Sequence, residues 1–270
     1  MIRSCIFLLF IWVHNLSAQD CPYSLSKRKE LITYSALTVG YATQIAIKPN
    51  TVPYSDTEIQ NLETSQLPNI DKKYYQDFSH THALISDYAV GTSIFTAVGI
   101  QAFTVFAHSE DAESFYSHFF PIANVWLQTN LATYIGTNIA KNISSRPRPY
   151  VYDEDVSLEE KRKADAYKSF FSQHTSFAAA NTFLAAHVVT HYYSQKWIQY
   201  SAWSLAAILP AYVGYERVMA GEHFPTDVIS GFIWGATCGI LLPELHTKKG
   251  NTNISLSSIH PSYVSIQIQW

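Results

Sequence analysis

The sequence predicts an all-α protein, a bundle of about six helices that is membrane-embedded and carries a short β-like tail at its C-terminus. Six apolar segments predict the helices, because they are too long for strands and most lack proline. The charged share of 14% predicts the membrane, since soluble domains carry about a quarter. The alternation of apolar and polar residues from position 254 onward predicts the tail.

The six apolar segments differ in how well they fit a membrane span. They cover residues 31–47, 83–107, 119–140, 176–193, 197–215 and 228–242. The second and third exceed the roughly 20 residues that a spanning helix needs, whereas the fourth contains Asn181, His187 and His191. The mean hydropathy of -0.02 is below that of a multispanning carrier. A soluble periplasmic bundle is therefore the alternative.

Residues 1–18 are typical of a secretory signal peptide. Arg3 supplies the positive start, residues 5–13 the apolar stretch, and residues 16–18 the small-residue cleavage site. An uncleaved anchor is the alternative. We expect an exported protein of the bacterial inner membrane whose functional groups face the periplasm, which requires that segment 31–47 does not cross.

The rest of the chain divides into three parts. Residues 19–82 hold an N-terminal helix and a polar loop, residues 83–243 form the helical core, and residues 244–270 form the tail, where a hairpin is expected. In the charged connector that follows Pro149, Ser157 is placed to cap a short helix. That connector is either a lid or a solvated link. Pro210 is expected to kink or end the fifth helix.

Composition and charge exclude some classes of partner. The net charge of -3 and the absence of a basic run argue against a nucleic-acid partner. Once the signal peptide is removed, Cys21 and Cys238 remain. An exported protein can form a disulfide, but nothing in the spacing requires one, so we expect two idle or buried thiols.

Three short blocks between the apolar segments carry the groups with chemical potential. In chain order they contain Lys141 and Arg148-Pro149, then Ser172-Gln173-His174, then Arg217, His223 and Asp227. Together they offer three cations, a hydroxyl, two imidazoles and one carboxylate. Cations neutralise phosphoryl oxygens, and imidazoles act as nucleophile or proton donor. The inventory indicates cleavage of a phosphate ester without a metal.

The local sequence around each block fits such a site. Pro147 and Pro149 restrain Arg148, so its planar guanidinium can meet phosphate oxygens in a fixed orientation. Ser172 can cap the fourth helix, whose first amides then point toward an anion. Asp227 follows His223 by one helical turn and can accept its Nδ1 proton, which leaves Nε2 available for attack. Arg146 is an additional cation, expected to face solvent.

The blocks resemble the signature of the phosphatidic acid phosphatase type 2 and vanadium haloperoxidase superfamily, specifically its bacterial phosphatase branch. The resemblance covers roughly residues 83 to 243. The first block is complete, the second has Phe171 and Gln173 where the family has Pro and Gly, and the third has Glu216 where the family has Ser. Gln173 can replace the family's glycine amide as a donor only if its backbone needs no positive φ.

The resemblance implies a role for each residue of the blocks. His223 would be the nucleophile that forms a phosphohistidine, His174 the general acid, and Asp227 the carboxylate that orients His223. The phosphate would be bound by the remaining members of the blocks, which are Lys141, Arg148, Ser172, Gln173 and Arg217.

The expected activity is hydrolysis of the phosphate monoester or diphosphate of a lipid, with no cofactor and no metal. A soluble periplasmic acid phosphatase acting on small phosphate esters is one alternative. A member that binds phospholipid without turnover is another, and a vanadate-dependent haloperoxidase a third. His187 and His191, one turn apart, could also hold a metal, although an interior or interface position explains them equally. His80, His82 and Asp87 have no assigned role.

Overall fold

Helices dominate the chain, with a two-stranded hairpin at its end. The computed structural model describes residues 20–47, 55–74, 78–248, 254–260 and 263–268. The signal peptide expected at 1–18 lies outside these residues. The eight α-helices of the described part are α1 (Lys27–Ala46), α2 (Asp56–Gln60), α3 (His80–Ala107), α4 (Ala112–Ser144), α5 (Leu158–Lys161), α6 (Gln173–Tyr192), α7 (Lys196–Met219) and α8 (Pro225–His246). The strands are β1 (Ile254–His260) and β2 (Tyr263–Ile268), paired antiparallel.

The helices and the hairpin predicted from the sequence agree with the structure. All six apolar segments lie in long helices, and the predicted hairpin is present. Ser157 caps α5 by accepting a hydrogen bond from the Glu160 amide, as expected. The expectation for Pro210 was wrong in one respect, because α7 continues past it to Met219. Cys21 and Cys238 are both buried and unpaired, as predicted.

α6 is the central helix of the bundle. It packs against α3, α4, α7 and α8, and fourteen of its 20 residues are buried. Many of them are small, including the run Ala178–Ala180. Small side chains allow neighbouring helices to approach closely on all sides, so the first turn of α6 is held in a fixed position relative to these four helices.

α6 and α8 approach each other closely. A Cβ atom added at Gly235 would lie 2.1 Å from the carbonyl oxygen of Ser176, and one at Gly231 would lie 2.5 Å from that of Ser172. Glycine is therefore required for this helix pair. Gly231 and Gly235 are four residues apart, a spacing that brings helix backbones together in membrane proteins. The contact fixes the start of α8 against the start of α6.

The outer surface of the bundle is apolar. Phe95 and Phe106 on α3 are 81% and 73% exposed, and Ile233 on α8 is 60% exposed. Among the described helices, α3 and α8 are long and apolar enough to cross a membrane, although only 28% and 33% of their most apolar stretches are buried. Apolar helices that bury so little of their surface within the protein fit a lipid environment better than water.

α1 runs along the outside of α4 over the height of the bundle. Near its start, Lys29 Nζ donates to the Leu245 carbonyl at the end of α8, at 2.6 Å. Near its end, the Gln44 carbonyl accepts from Asn142 Nδ2 in the last turn of α4. Residues 20–24 therefore lie at one end of the bundle, and the start of α8 lies at the other.

Candidate active site

Six of the predicted groups line a single cleft of about 570 Å³ at one end of the bundle. They come from all three sequence blocks: Lys141, Arg148, Gln173, His174, Arg217 and His223. The other lining residues are Asp87, Val90, Ile94, Asp165, Phe177 and Glu222. Every predicted group lies outside the six apolar segments, at or beyond a helix end. The bundle thus gathers polar residues from positions up to 82 apart in sequence.

Each cation reaches the cleft from a different element. Lys141 lies in the last turn of α4, Arg217 in the last turn of α7, and Arg148 in the extended segment between α4 and α5. The Arg148 backbone is anchored because its amide donates to the Ala166 carbonyl at 2.8 Å. Its Nε also donates to the Asp165 carbonyl at 2.9 Å. These contacts hold the guanidinium in one orientation.

Carboxylates accompany the two arginines. Arg148 pairs with Asp165 at 2.5 Å and with Glu222, and Arg217 pairs with Glu222 at 3.1 Å. Arg217 also donates to Ser86 Oγ at 3.1 Å, while its Nε has no partner among the described residues. Glu222 thus bridges the two guanidinium groups, in a position that the oxygens of a bound anion would compete for.

The pKa of Lys141 is lowered further from its ordinary value than that of Arg217. Lys141 is 6% exposed, and its Nζ donates to the Lys168 carbonyl at 3.0 Å. Burial, with Arg148 and Arg217 nearby, lowers the pKa of Lys141 to about 7. Burial also lowers the pKa of Arg217 to about 10. The cause in both cases is positive charge concentrated away from water, which an anion would relieve.

His223 is buried at the base of the cleft, in the loop between α7 and α8. It is 1% exposed, and burial followed by the charges of Arg148 and Arg217 holds its pKa well below the ordinary value. The imidazole is therefore neutral at physiological pH, the form that has a lone pair for attack. Its Nδ1 lies 3.8 Å from Asp227 Oδ2, too far for a hydrogen bond, and has no partner among the described residues.

Asp227 is held by several donors around it. Oδ2 accepts from Ser169 Oγ at 2.5 Å and from the Phe224 amide at 2.9 Å, and Oδ1 accepts from Arg146 Nη1 at 2.5 Å. The sequence analysis expected Asp227 to accept the Nδ1 proton of His223. In this structure the carboxylate has the right neighbour but not the hydrogen-bond distance, and a small movement of the His223 ring would close the gap.

Arg146 does not face solvent as expected, which corrects the sequence analysis. Its side chain is 15% exposed and joins Asp227 to the fully buried Asp71, with Nη2 at 2.7 Å from Asp71 Oδ2. Nη1 also donates to Thr226 Oγ1 at 2.7 Å, and the guanidinium lies 4.5 Å from the centre of the Phe224 ring. Arg146 thus compensates the charge of two buried carboxylates, and its removal would leave them unpaired.

His174 has a carboxylate partner of its own. Its Nε2 lies 2.9 Å from Asp87 Oδ1 of α3, a residue without a role in the sequence analysis. Burial and the charge of Arg217 lower the pKa of His174 to about 4, although the charge of Asp87 acts in the opposite direction. The His174 side chain is 31% exposed, so its ring reaches the open side of the cleft. His82, also unassigned before, pairs with Glu216 at 2.7 Å.

The second block is divided between the cleft and the interior. Ser172 is fully buried, is not a lining residue of the cleft, and caps α6 by accepting from the Thr175 amide. The structure therefore places the Ser172 hydroxyl at the start of α6, behind the lining of the cleft. Gln173 begins the helix with an ordinary negative φ, so the condition placed on its amide is met. Amides in a first helical turn have no acceptor within the helix.

Part of this chain matches a known protein family. The model of the PAP2 superfamily matches residues 124–251, a range that contains all three blocks. This match places residues 124–251 of the chain in the PAP2 superfamily. The match supports a phosphoric ester hydrolase, the class of enzyme that the blocks predict. Comparison with curated proteins gives no match.

A solved structure of the same superfamily is also similar to this chain. It is the crystal structure of a transmembrane PAP2-type phosphatidylglycerolphosphate phosphatase from Bacillus subtilis. The two sequences are 19% identical, the match covers 78% of this chain and 93% of that chain, and the TM-score is 0.43.

Proposed function

We propose that this PAP2 protein hydrolyses the phosphate monoester or diphosphate of a lipid, without a metal, through a phosphohistidine on His223. The observation that carries the proposal is the convergence of Lys141, Arg148 and Arg217 with a neutral, buried His223 in one cleft. Three cations and the first amides of α6 fit the spread of charge over the phosphoryl oxygens in the transition state.

In the first step, His223 Nε2 attacks phosphorus and forms an N–P bond. The bond between phosphorus and the ester oxygen breaks, and His174 donates a proton to the departing oxygen. The product of this step is an alcohol, or a phosphate when the substrate is a diphosphate. Asp227 stabilises the positive imidazole that forms at His223, since it lies 3.8 Å from Nδ1.

In the second step, water attacks the phosphohistidine. His174, which has given up its proton, now accepts one from the water. The N–P bond breaks, inorganic phosphate leaves, and His223 returns to its neutral form. Electrostatic repulsion between product phosphate and Glu222 would favour release, because Glu222 returns to Arg148 and Arg217.

Two features support a lipid substrate. The apolar outer face of α3 and α8 favours a membrane location. In addition, a groove of about 690 Å³ shares Asp165 and Glu222 with the cleft, and its lining combines Phe78, Tyr150 and Val156 with polar residues that include His80, Asp155, Ser157, Glu160 and Lys163. The three apolar side chains, next to a cationic cleft, suit a substrate with a charged phosphate and an apolar body.

For the orientation, we propose that the cleft faces the periplasm. Because α1 runs the height of the bundle, residues 20–24 and the cleft lie at opposite ends. If the bundle spans the membrane and its cleft faces the periplasm, residues 20–24 therefore lie on the cytoplasmic side. Cleavage of a signal peptide would instead place residues 20–24 in the periplasm and the cleft on the cytoplasmic side. N-terminal sequencing, together with labelling of single cysteines by a membrane-impermeant reagent, distinguishes the two arrangements.

The test is phosphate release in detergent with excess EDTA. The substrates are phosphatidic acid, a polyprenyl diphosphate and p-nitrophenyl phosphate, and the proteins are wild type, His223→Ala and His191→Gln. We expect release by wild type and by His191→Gln, a control far from the cleft, and loss of at least about 1,000-fold in His223→Ala. Release that needs no detergent and favours p-nitrophenyl phosphate would identify a soluble acid phosphatase. Binding of phospholipid by folded wild type without release would identify a non-catalytic member.

A further inference from the structure

A cluster of His187, His191 and Glu244 lies at the end of the bundle opposite the cleft. In the described part of the chain, these three side chains are close enough together to bind one metal ion. One nitrogen or oxygen atom from each of them lies within 4.8 Å of those from the other two. His187 follows His174 by 13 residues, so the cluster lies about 20 Å along α6 from the cleft. The phosphatase mechanism uses none of its members.

We propose that this cluster binds a zinc ion, or a divalent metal of similar preference, between α6 and α8. Two imidazoles and a carboxylate are ligands that Zn²⁺ accepts, with a water as the fourth. Ligand atoms about 2.0–2.1 Å from a tetrahedral zinc lie about 3.3 Å apart. His187 Nε2 and Glu244 Oε2 are separated by 3.1 Å, close to that value.

The hydrogen bonds around the two imidazoles favour this role. The carbonyl of His187 accepts from His191 Nδ1 at 2.9 Å. A carbonyl cannot donate, so the Nδ1 atom carries the proton and the lone pair of the neutral ring is on Nε2. His187 Nδ1 lies 3.0 Å from the Tyr23 hydroxyl, whose oxygen can accept a hydrogen bond from Nδ1–H when Nε2 binds a metal. Such outer partners orient metal-binding histidines.

The position of the cluster explains what a metal would do there. Tyr23 belongs to the N-terminal segment, which is joined to the end of α8 by the bond from the Ser24 amide to the His246 carbonyl at 2.9 Å. His187 is buried, whereas the Glu244 side chain is 62% exposed. A bound ion would therefore connect α6 to α8 from the solvent side and stabilise the end where the N-terminal segment is attached.

The experiment measures zinc binding to untagged, full-length protein in detergent, after metal removal by EDTA and dialysis against buffered free Zn²⁺. We expect about one zinc per chain and an apparent Tm that rises by roughly 5 °C or more when zinc is saturating. His191→Gln and Glu244→Gln should weaken binding at least tenfold, and Tyr23→Phe about tenfold. Matched changes at exposed positions, His80→Gln and Glu113→Gln, should leave zinc content and the Tm shift as in wild type.

Two results would overturn the proposal. One is absence of zinc from the folded wild type at micromolar free Zn²⁺. The other is zinc that remains in His191→Gln and Glu244→Gln, or that is lost equally in the matched controls. Phosphate release by His191→Gln and Glu244→Gln should stay within about twofold of wild type and resist EDTA, so failure of the zinc site and failure of the proposed phosphatase mechanism are distinguishable.

Discussion

His223 and His174 line the same cleft, but the protein surrounds them very differently. The His223 side chain and its carboxylate Asp227 are 1% and 0% exposed, whereas those of His174 and Asp87 are 31% and 58% exposed. Asp227 is fixed by three donors, while Asp87 contacts His174 at the open side of the cleft. The difference fits two tasks: a nucleophile must be held in one place, and a proton donor must reach a group that leaves.

Among the substitutions that test this difference between His223 and His174, we expect His174→Ala to have the largest effect. For an alkyl phosphate, we expect kcat/KM to fall by about 100- to 10,000-fold, because the leaving oxygen then departs without a proton. For p-nitrophenyl phosphate, whose leaving group is stable as an anion, the fall should be less than about tenfold. Steady-state kinetics with both substrates measures the ratio. Equal losses on the two substrates would show that His174 is not the proton donor.

Arg146→Lys tests the rigid support behind His223. Lysine keeps the charge but cannot bind Asp71 and Asp227 with two separate nitrogens, so Asp227 should shift relative to His223. We expect kcat to fall by up to about 100-fold with KM little changed. Arg162→Lys, which alters an exposed ion pair with Asp56, is the matched control. A wild-type kcat in folded Arg146→Lys would contradict the support role.

Asp87→Asn tests the more exposed pair. The charge of Asp87 raises the pKa of His174, so its removal should lower that pKa below about 4 and reduce the protonated fraction at neutral pH. One unit of additional pKa shift corresponds to about a tenfold loss in rate on an alkyl phosphate. The loss should shrink as the pH is lowered toward about 4. A pH–rate profile that is unchanged by the substitution would separate Asp87 from the proton transfer.

The smallest effect concerns Lys141, which both pairs share as a neighbour. Its pKa of about 7 means that Lys141 is charged below that pH and loses its charge above it. The test compares inhibition by vanadate at about pH 7 and about pH 9. Over this range, inhibition of wild type should weaken about tenfold more than inhibition of Lys141→Arg, because arginine stays charged. The titration of vanadate itself is common to both proteins. Parallel pH dependence in the two would contradict a titrating Lys141.

The sequence predicted the residues that line the cleft better than the residues behind them. Lys141, Arg148, Arg217 and the two histidines belong to blocks with a recognisable spacing, and apolar runs mark the helices between them. Asp71 lies 75 residues from Arg146, and no local pattern connects them. A buried ion pair depends on tertiary packing, so the burial of Arg146 could not be inferred from its position in the first block.

One signal in the sequence went unused. Gly231 and Gly235 are four residues apart, which is the spacing of small residues where two helices pack closely. A Cβ atom added at either glycine would lie 2.1–2.5 Å from a backbone oxygen at the start of α6, so α6 occupies the space that a side chain would need. That contact brings the start of α8, with Asp227, to the start of α6, with His174. Ser172, expected at the phosphate, proves to be part of the same contact, since its amide donates to the Asp227 carbonyl at 3.0 Å.

The most direct test of the account is to trap the phosphoryl group on His223. His174→Ala is mixed with p-nitrophenyl phosphate labelled at phosphorus, quenched in alkali within milliseconds and digested. The good leaving group permits the first step, and loss of His174 slows the attack of water. We predict an alkali-stable, acid-labile phosphoryl group on the peptide that contains His223, and none when His223 is also replaced by alanine. Release of p-nitrophenol without label on that peptide would contradict the phosphohistidine mechanism.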